Sequence, residues 1–382
     1  MKYKVPFVNY PLQYRLIKDE INTAFDRIFS RGDLILRDDV QKFEEDFSSF
    51  IDTKFGIGTG SCTGAMAISL HAAGIKPGDE VITVAHTYIA TIDVIVHCGA
   101  TPILIDIRDD FNMDVDLLEE AITPRTKAIM PVHLNGRVCE MDKLMSIAKR
   151  HNLIVIEDAA QATGAKYQGK PAGSFGLTGC FSFYPAKILG SYGEAGIACT
   201  NNKEIAGKLY VLRDHGEKPP YLKTKEKKRE KKIDLYGFNT ILDNIQAAVL
   251  NVKLKHFPKG LKRRREIASL YYEGLSDLSK IKLPPPPTER GLYFDVFQNY
   301  VIRSKRREVL AKWLEDKSVE TLISWPIPNH RQEALKNLHR FQLPKTEQIS
   351  REVLSLPMYP ELTDRQVKYV IDCIRRFFES GI

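Results

Sequence analysis

Two short segments of this chain could do chemistry together. Ile154-Val155-Ile156-Glu157-Asp158 closes an apolar run on acids, and Phe181-Ser182-Phe183-Tyr184-Pro185-Ala186-Lys187 brings a lysine 29 residues after Asp158. An amine can form a Schiff base with an aldehyde, and an acid can keep a pyridine nitrogen protonated. Pyridoxal phosphate (PLP) asks for this pair. Either residue alone has an ordinary explanation. Lysines mostly solvate surfaces, and an Asp after a strand is often only a helix cap. The spacing and the surroundings carry the decision.

The surroundings supply further parts. Gly56-Ile57-Gly58-Thr59-Gly60-Ser61-Cys62-Thr63-Gly64-Ala65 is rich in small residues, which let backbone N–H groups approach an anion. A helix starting near Thr63 would add its positive end. The segment is neither a dinucleotide fingerprint, because Ser61 stands at the last glycine position, nor a Walker A loop, because no Gly-Lys-Ser/Thr follows. A tight turn is the plainer reading. Tyr88, in Ala85-His86-Thr87-Tyr88 after an apolar run, could stack on a flat ring or merely cover the core edge. His86 reads as structural or substrate-facing. His133 has no second histidine or Cys/Asp set at metal-ligand spacing, so no metal site is expected. Gly190, Gly193 and Gly196 follow Lys187 and permit irregular backbone near a ligand. A lysine beside a phosphate cradle and an aromatic plate can have its pKa lowered, as Schiff-base chemistry requires.

These residues need a frame. Apolar runs predict strands at Glu80–Val84, Pro102–Asp106, Ala128–Val132, Leu153–Glu157, Cys180–Tyr184 and Gly196–Thr200. Helical patterns lie between several of them; Met141, Leu144, Met145 and Ala148 share one face. The alternation predicts an α/β fold with a mostly parallel sheet covered on both sides. Ligands gather at the carboxyl ends of such strands, and Asp158 sits just past one. A helix is predicted over Asn239–Lys255, leading into Lys262-Arg263-Arg264-Arg265. Pro284 to Pro287 interrupt regular structure. A strand over Phe297–Arg303, a helix over Glu308–Asp316 and a last helix from Thr363 then predict a smaller α/β unit. The boundary is placed near residue 250: a large domain over 1–250 and a small C-terminal domain over 251–382, with the first twenty or so residues free to pack with the latter.

Composition narrows the class. The chain has 382 residues, 43% of them apolar, which is ordinary for a globular protein of more than one unit. No apolar run is long enough for a membrane span, and the N-terminal residues lack a secretion signal. Six scattered cysteines without C-x-x-C pairs suit reduced thiols, so a cytoplasmic location is expected. The net charge of +8 is concentrated in Lys223–Lys232, with seven basic and two acidic residues. That run reads as a solvated face or as an anion-attracting loop. It has no aromatic residue for base stacking, which speaks against nucleic acid.

The chain resembles the DegT/DnrJ/EryC1 family of nucleotide-sugar aminotransferases, PLP enzymes of fold type I. The resemblance runs from about residue 7 to 375. It is carried by Gly78-Asp79-Glu80-Val81-Ile82, Pro131-Val132-His133-Leu134, Glu157-Asp158-Ala159-Ala160-Gln161-Ala162, Phe181 to Lys187, Arg213-Asp214-His215-Gly216, and Gly237-Phe238-Asn239 ahead of Gln246-Ala247-Ala248. It implies that Lys187 is the Schiff-base lysine and that Asp158 partners the pyridine nitrogen. Gln161 would lie near the ring oxygen or face, and Tyr88 would stack on the ring. Ser61, Cys62, Thr63 and Ser182 would hold the phosphate. Asn239 would reach the cofactor phosphate of a second subunit, implying a homodimer with shared active sites.

Four places depart from the family pattern. Cys62 replaces a usual glycine, and Thr240-Ile241 replaces a common Tyr-Arg, which removes a cation. Ser324-Trp325-Pro326 stands for the frequent His-Tyr-Pro, and Asn135-Gly136-Arg137 for Tyr-Gly-Gln. The resemblance implies transfer of an amino group, with glutamate as donor, to a 3-keto or 4-keto sugar on a nucleoside diphosphate. Pyridoxamine phosphate would be the cofactor's intermediate form. The setting would be amino-sugar synthesis for a surface polysaccharide or secondary metabolite. Two rivals share the fold. Sugar dehydratases of the family carry histidine in place of the lysine, whereas Lys187 is present here. A non-catalytic PLP-binding regulator would have no need to keep Asp158, Ser182 and Lys187 together.

Overall fold

Asn9 starts the first long helix. Its side chain accepts the N–H of Leu12 at 3.1 Å, a proline stands in the first turn, and Gly32 ends the helix at φ 68°. The computed structural model describes residues 3–217, 233 and 235–380; the charge run at 223–232 lies outside them. This helix, α1 (Tyr10–Arg31), is followed by α2 (Asp38–Phe50), β1 (Phe55–Thr59), α3 (Cys62–Ala72), β2 (Glu80–Val84), α4 (Ala90–His97), β3 (Thr101–Ile105), β4 (Thr126–Ile129), α5 (Met141–Arg150) and β5 (Ile154–Asp158). The short β6 (Lys166–Tyr167) and β7 (Lys170–Pro171) precede β8 (Thr178–Ser182), β9 (Gly196–Thr200) and α6 (Lys203–Leu212). Then come α7 (Asn244–Leu275), β10 (Tyr293–Phe294), β11 (Tyr300–Arg303), α8 (Arg307–Asp316), α9 (Pro344–Glu352), β12 (Val353–Leu356) and α10 (Asp364–Glu379).

Seven strands form one sheet in the order β1-β9-β8-β5-β4-β2-β3. β9 runs antiparallel to both neighbours, and the other pairings are parallel. The fold is therefore α/β with a mixed, mostly parallel sheet flanked by helices. β2 and β9 match the sequence expectation. β3 and β5 are displaced by one residue. β4 stops at Ile129 rather than Val132, because Pro131 has no N–H for the ladder. β1 was hidden in the glycine-rich segment, which is a strand up to Thr59 and not wholly a cradle. Its glycines are required by close approach: a Cβ at Gly56 would lie 2.7 Å from the Glu44 carbonyl oxygen, and one at Gly58 2.8 Å from a Leu242 methyl.

The alternation of side chains along β8 assigns its two faces. Phe181 and Phe183 point toward α2, where Phe43 and Phe47 meet them edge-on at ring separations of 5.0–5.1 Å. Each such pair is worth about 0.5–1.5 kcal/mol beyond its burial. Cys180 packs on the opposite face, with Met66 of α3 and Ile156 of β5; by the same alternation Ser182 faces α3.

The smaller unit is an antiparallel β11–β12 pair packed by α8, α10 and the end of α7. Val5 joins its core. α10 begins with a capping box between Thr363 and Gln366, and buries Val367, Val370, Ile374, Phe377 and Phe378.

α7 corrects the sequence reading. It starts at Asn244, not Asn239, and continues through Pro258 and the Lys262–Arg265 stretch to Leu275. Its apolar stripe carries on past the proline, with Phe257, Ile267, Ala268 and Tyr271 buried, and that packing outweighs the lost donor. Arg264 and Arg265 are buried too. Arg264 donates to the carbonyls of Phe297 (3.1 Å) and Met358 (2.9 Å), and Arg265 to those of Asp295 and Thr288 (2.8 Å each). Residue 250 falls inside this helix; Leu261 still packs with the sheet core and Ile267 with the smaller one. Among the described residues no helix is long and apolar enough to cross a membrane.

Candidate active site

A cavity of about 1090 Å³ opens at the carboxyl ends of β5 and β8. Asp158, Gln161, Ser182 and Lys187 line it, as do Ser61, Cys62 and Thr63 at the start of α3. Tyr88 and Asn239 complete the set, so all nine residues singled out from the sequence meet in one place.

The acid is built from below. Glu157 is fully buried, and its carboxylate accepts the N–H groups of Gly173, Phe175 and Gly176 at 2.7 Å each. His133 approaches it at 2.9 Å through Nε2. The His133 Nδ1 accepts the Cys139 N–H at 3.2 Å, so Nε2 carries the proton and donates. His133 is therefore structural. Above it, Asp158 accepts the Thr91 hydroxyl at 2.7 Å through one oxygen and the Ala160 N–H at 3.1 Å through the other. Thr91, in the first turn of α4, and Thr87, just before that helix, have hydroxyls 2.9 Å from each other. Sequence reasoning missed Thr87 and Thr91; their i, i+4 spacing just after Tyr88's strand end was the available signal.

The cradle is a helix start. Ser61 caps α3, its hydroxyl oxygen accepting the Gly64 N–H at 3.1 Å. The N–H groups of Cys62 and Thr63 find no acceptor among the described residues. Two free donors at a helix N-terminus suit an anion such as a phosphate. β9 can pass behind this turn because Gly196 has no side chain: a Cβ there would collide with the Ser61 backbone. The Arg213-Asp214-His215-Gly216 motif braces the cradle from outside. Buried Arg213 pairs with Glu44 and donates to the Gly58 carbonyl at 2.9 Å. Residues 239–241 lie along the cradle, with Gly60 N–H donating to the Thr240 carbonyl at 3.0 Å.

Lys187 follows a turn closed by its own N–H on the Tyr184 carbonyl at 2.8 Å. Its amine has no hydrogen bond among the described residues. Burial pulls the amine below its ordinary range, while Asp158 draws it back up. Burial, with Asp158 adding to it, pushes the Cys62 thiol well up, so it stays protonated and is no nucleophile. Gln161 accepts the Asn135 N–H at 2.9 Å through Oε1, which leaves its amide nitrogen for a ligand.

The rim differs from the floor. Tyr88 is 64% exposed, Tyr184 48% and Ile35 46%. Asn239 is exposed beside them. His86 lies elsewhere: it is buried against Phe111 and Trp325, with Nδ1 3.2 Å from the Ser350 hydroxyl. Burial, and then Arg303, lower its pKa to about 3. Trp325 is thus a packing partner of His86, and Asn135 and Arg137 line a neighbouring cavity rather than this one.

A strand-end acid, an unpaired lysine and a helix-start anion cradle on this sheet define an aminotransferase of fold type I. The donors and the shape of the cradle fit the phosphate of PLP, and the chain is a PLP-dependent enzyme. It belongs to the DegT/DnrJ/EryC1/StrS aminotransferase family, whose model matches residues 15–375. The chain is 41% identical over 377 residues to a "pleiotropic regulatory protein" of Geobacillus stearothermophilus, covering 98% of each. It is 37% identical to the dTDP-3-amino-3,4,6-trideoxy-alpha-D-glucose transaminase of Streptomyces venezuelae, covering 98% of this chain and 97% of that one. The solved structure of S. venezuelae DesV with a ketimine intermediate superposes with a TM-score of 0.91 at 36% identity, covering 98% of each chain.

Proposed function

We propose that this enzyme moves an amino group from glutamate to a keto sugar carried on a nucleoside diphosphate, at C3 or C4 of the sugar. The observation that carries the reading is an unpaired, desolvated Lys187 in the same cavity as a hydrogen-bonded Asp158. The S. venezuelae relative supports a nucleotide-linked sugar as the acceptor. PLP, when bound, supplies an aldehyde and an electron-accepting ring. Asp158 would hold a proton on the ring nitrogen, and the Thr91 hydroxyl and Ala160 N–H fix its two oxygens in place. The free Cys62 and Thr63 N–H groups, with Ser182, anchor the phosphate. Lys187 Nζ would take a proton from the donor's Cα and return it to the carbon on the far side of the donor's nitrogen.

Lys187 is the one cation lining the cavity among the described residues, which also include Asp158, Glu194 and Asp243. A diphosphate needs more positive charge than that. We assign the role to Lys223–Lys232, acting in a homodimer with shared active sites, in the cytoplasm; Asn239, expected from the sequence to serve the second copy's site, lines the cavity of its own chain. The Geobacillus relative's name raises a regulatory reading; a regulator has no use for an unpaired lysine of lowered pKa. The test is spectroscopic and catalytic. The protein reconstituted with PLP is yellow and bleaches with glutamate. A screen of nucleotide-linked 3-keto and 4-keto sugars then finds the acceptor. A protein that stays colourless with PLP, or that never bleaches with glutamate, would sink this reading.

A further inference from the structure

Lys187 sits in a long irregular connection between β8 and β9, where no ladder holds the backbone. The base of the loop is closed by Ser191, whose N–H and hydroxyl reach the Phe183 carbonyl at 2.8 and 2.7 Å. Lys253 Nζ holds the Gly190 carbonyl at 2.6 Å. The tip is held by one side chain from far along the sequence. Gln298 Nε2 donates to the Ala186 carbonyl at 2.9 Å, and its Oε1 accepts the Ile188 N–H at 2.9 Å. Those two groups belong to the peptide units on either side of the Lys187 Cα. A single amide thus bonds both flanks, as a neighbouring strand would.

Gln298 is itself anchored. It is buried, its N–H donates to the Asn135 carbonyl at 3.0 Å, and Arg264 donates to the preceding carbonyl of Phe297 at 3.1 Å. Phe297 stands at φ 51°, a conformation rare for a residue with a side chain, and one kept only where surroundings impose it. Asn135 in turn donates its N–H to Gln161 Oε1. One connected frame therefore runs from Gln161 through Asn135 and Gln298 to the peptides around Lys187.

We propose that Gln298 is a positioning residue that sets where Lys187 stands relative to Asp158 and Gln161. The inference rests on Lys187 being the reactive amine of the function proposed above. Fixing both flanking peptides leaves the side-chain torsions as Lys187's main freedom, which suits an amine that must meet one atom repeatedly. The titratable groups facing Lys187 are Asp158 of β5 and Cys62 of α3, with Tyr184 and Glu194 on the same cavity wall.

The test uses the whole chain without cofactor as well as with it. Gln298→Met removes both bonds at nearly equal volume. Gln298→Asn keeps the amide but is one methylene too short to span both peptides. Thr346→Val, which deletes a buried 2.7 Å bond to Asp106 away from the site, is the control for general destabilisation. Lys187 is titrated in the cofactor-free protein by competitive labelling with acetic anhydride and mass spectrometry, and PLP uptake is followed by absorbance. Both Gln298 variants should raise the apparent pKa of Lys187 by about half a unit or more and slow PLP uptake about tenfold. Thr346→Val should change neither. Should either readout in both Gln298 variants match Thr346→Val at equal loss of Tm, Gln298 is merely structural and the proposal is overturned. Full turnover in Lys187→Ala would instead overturn the proposed function, while the Lys187 titration would still report on the clasp.

Discussion

The floor and the rim of the cavity are built on opposite principles. On the floor every acid is spoken for: Glu157 meets three backbone N–H groups and His133, and Asp158 meets Thr91 and Ala160. On the rim, Tyr88 is mostly exposed, and Tyr184 and Ile35 are nearly half exposed. A satisfied floor is preorganised for one task, since buried polar groups with all partners in place tolerate little movement. An exposed apolar rim is unfinished surface. The contrast assigns chemistry to the floor of one chain and completion of the substrate side to something that covers the rim.

The comparison breaks most readily at Lys187. Lys187→Ala should cost about 10³-fold or more in kcat while leaving the fold intact, checked by steady-state rates and circular dichroism. Asp158→Asn should follow at about 10²-fold, with the larger share in kcat, because Asn cannot hold charge at the ring nitrogen. Thr91→Val tests whether the floor's partners matter in their own right. Losing a bond to a charged group predicts about a tenfold fall, read against Asp158→Asn in a double-mutant cycle, where the two effects should not add. The rim is tested by Ile35→Asp. It should leave the melting temperature of the monomeric chain unchanged, shift sedimentation from dimer to monomer, and lower activity severalfold in a concentration-dependent way. A variant that stays dimeric and fully active would place the covering surface elsewhere.

The smallest effect concerns His86, which belongs to neither floor nor rim. Its folded pKa, about 3, is below the ordinary value of about 6.5. The unfolded chain therefore binds the proton first, so the neutral ring's contribution is complete above about 6.5 and is lost as pH falls toward 3. Thermal unfolding of the wild type should fall more steeply than that of His86→Gln between pH 6.5 and 4, by roughly 2–4 °C.

Much of the floor was legible because its signals are local. Asp158 and Lys187 each end an apolar run, and strand ends are where such sheets bind ligands. β1 was not legible, because Gly56 and Gly58 erase the alternation that marks a strand. The full length of α7 was hidden by Pro258 and by arginines that look solvated in sequence and are buried in space. The clasp on Lys187 was beyond reach for a different reason: Gln298 lies more than a hundred residues away, and nothing local marks a glutamine as a backbone tie. The rim was only partly readable, since the exposure of Tyr88 is a property of surfaces meeting and not of spacing.

The Glu157 lock has a consequence for how the protein can vary. Three of its four donors are main-chain N–H groups, from Gly173, Phe175 and Gly176. Any residue but proline carries such a donor, but the path the carboxylate demands leaves no room for a side chain at two of the three positions: a Cβ at Gly173, which stands at φ 79°, would lie 2.4 Å from the Phe181 ring, and one at Gly176 2.4 Å from the Val155 carbonyl oxygen. A saturation library across that turn should show its sharpest losses for any replacement of Gly173 or Gly176 and for proline at any position. Polar and charged replacements of the half-buried Phe175 should be milder than either. The acid at 157 itself should accept almost no replacement. The strictness of the active-site floor is thus held in chain geometry, where a search for conserved side chains would overlook it.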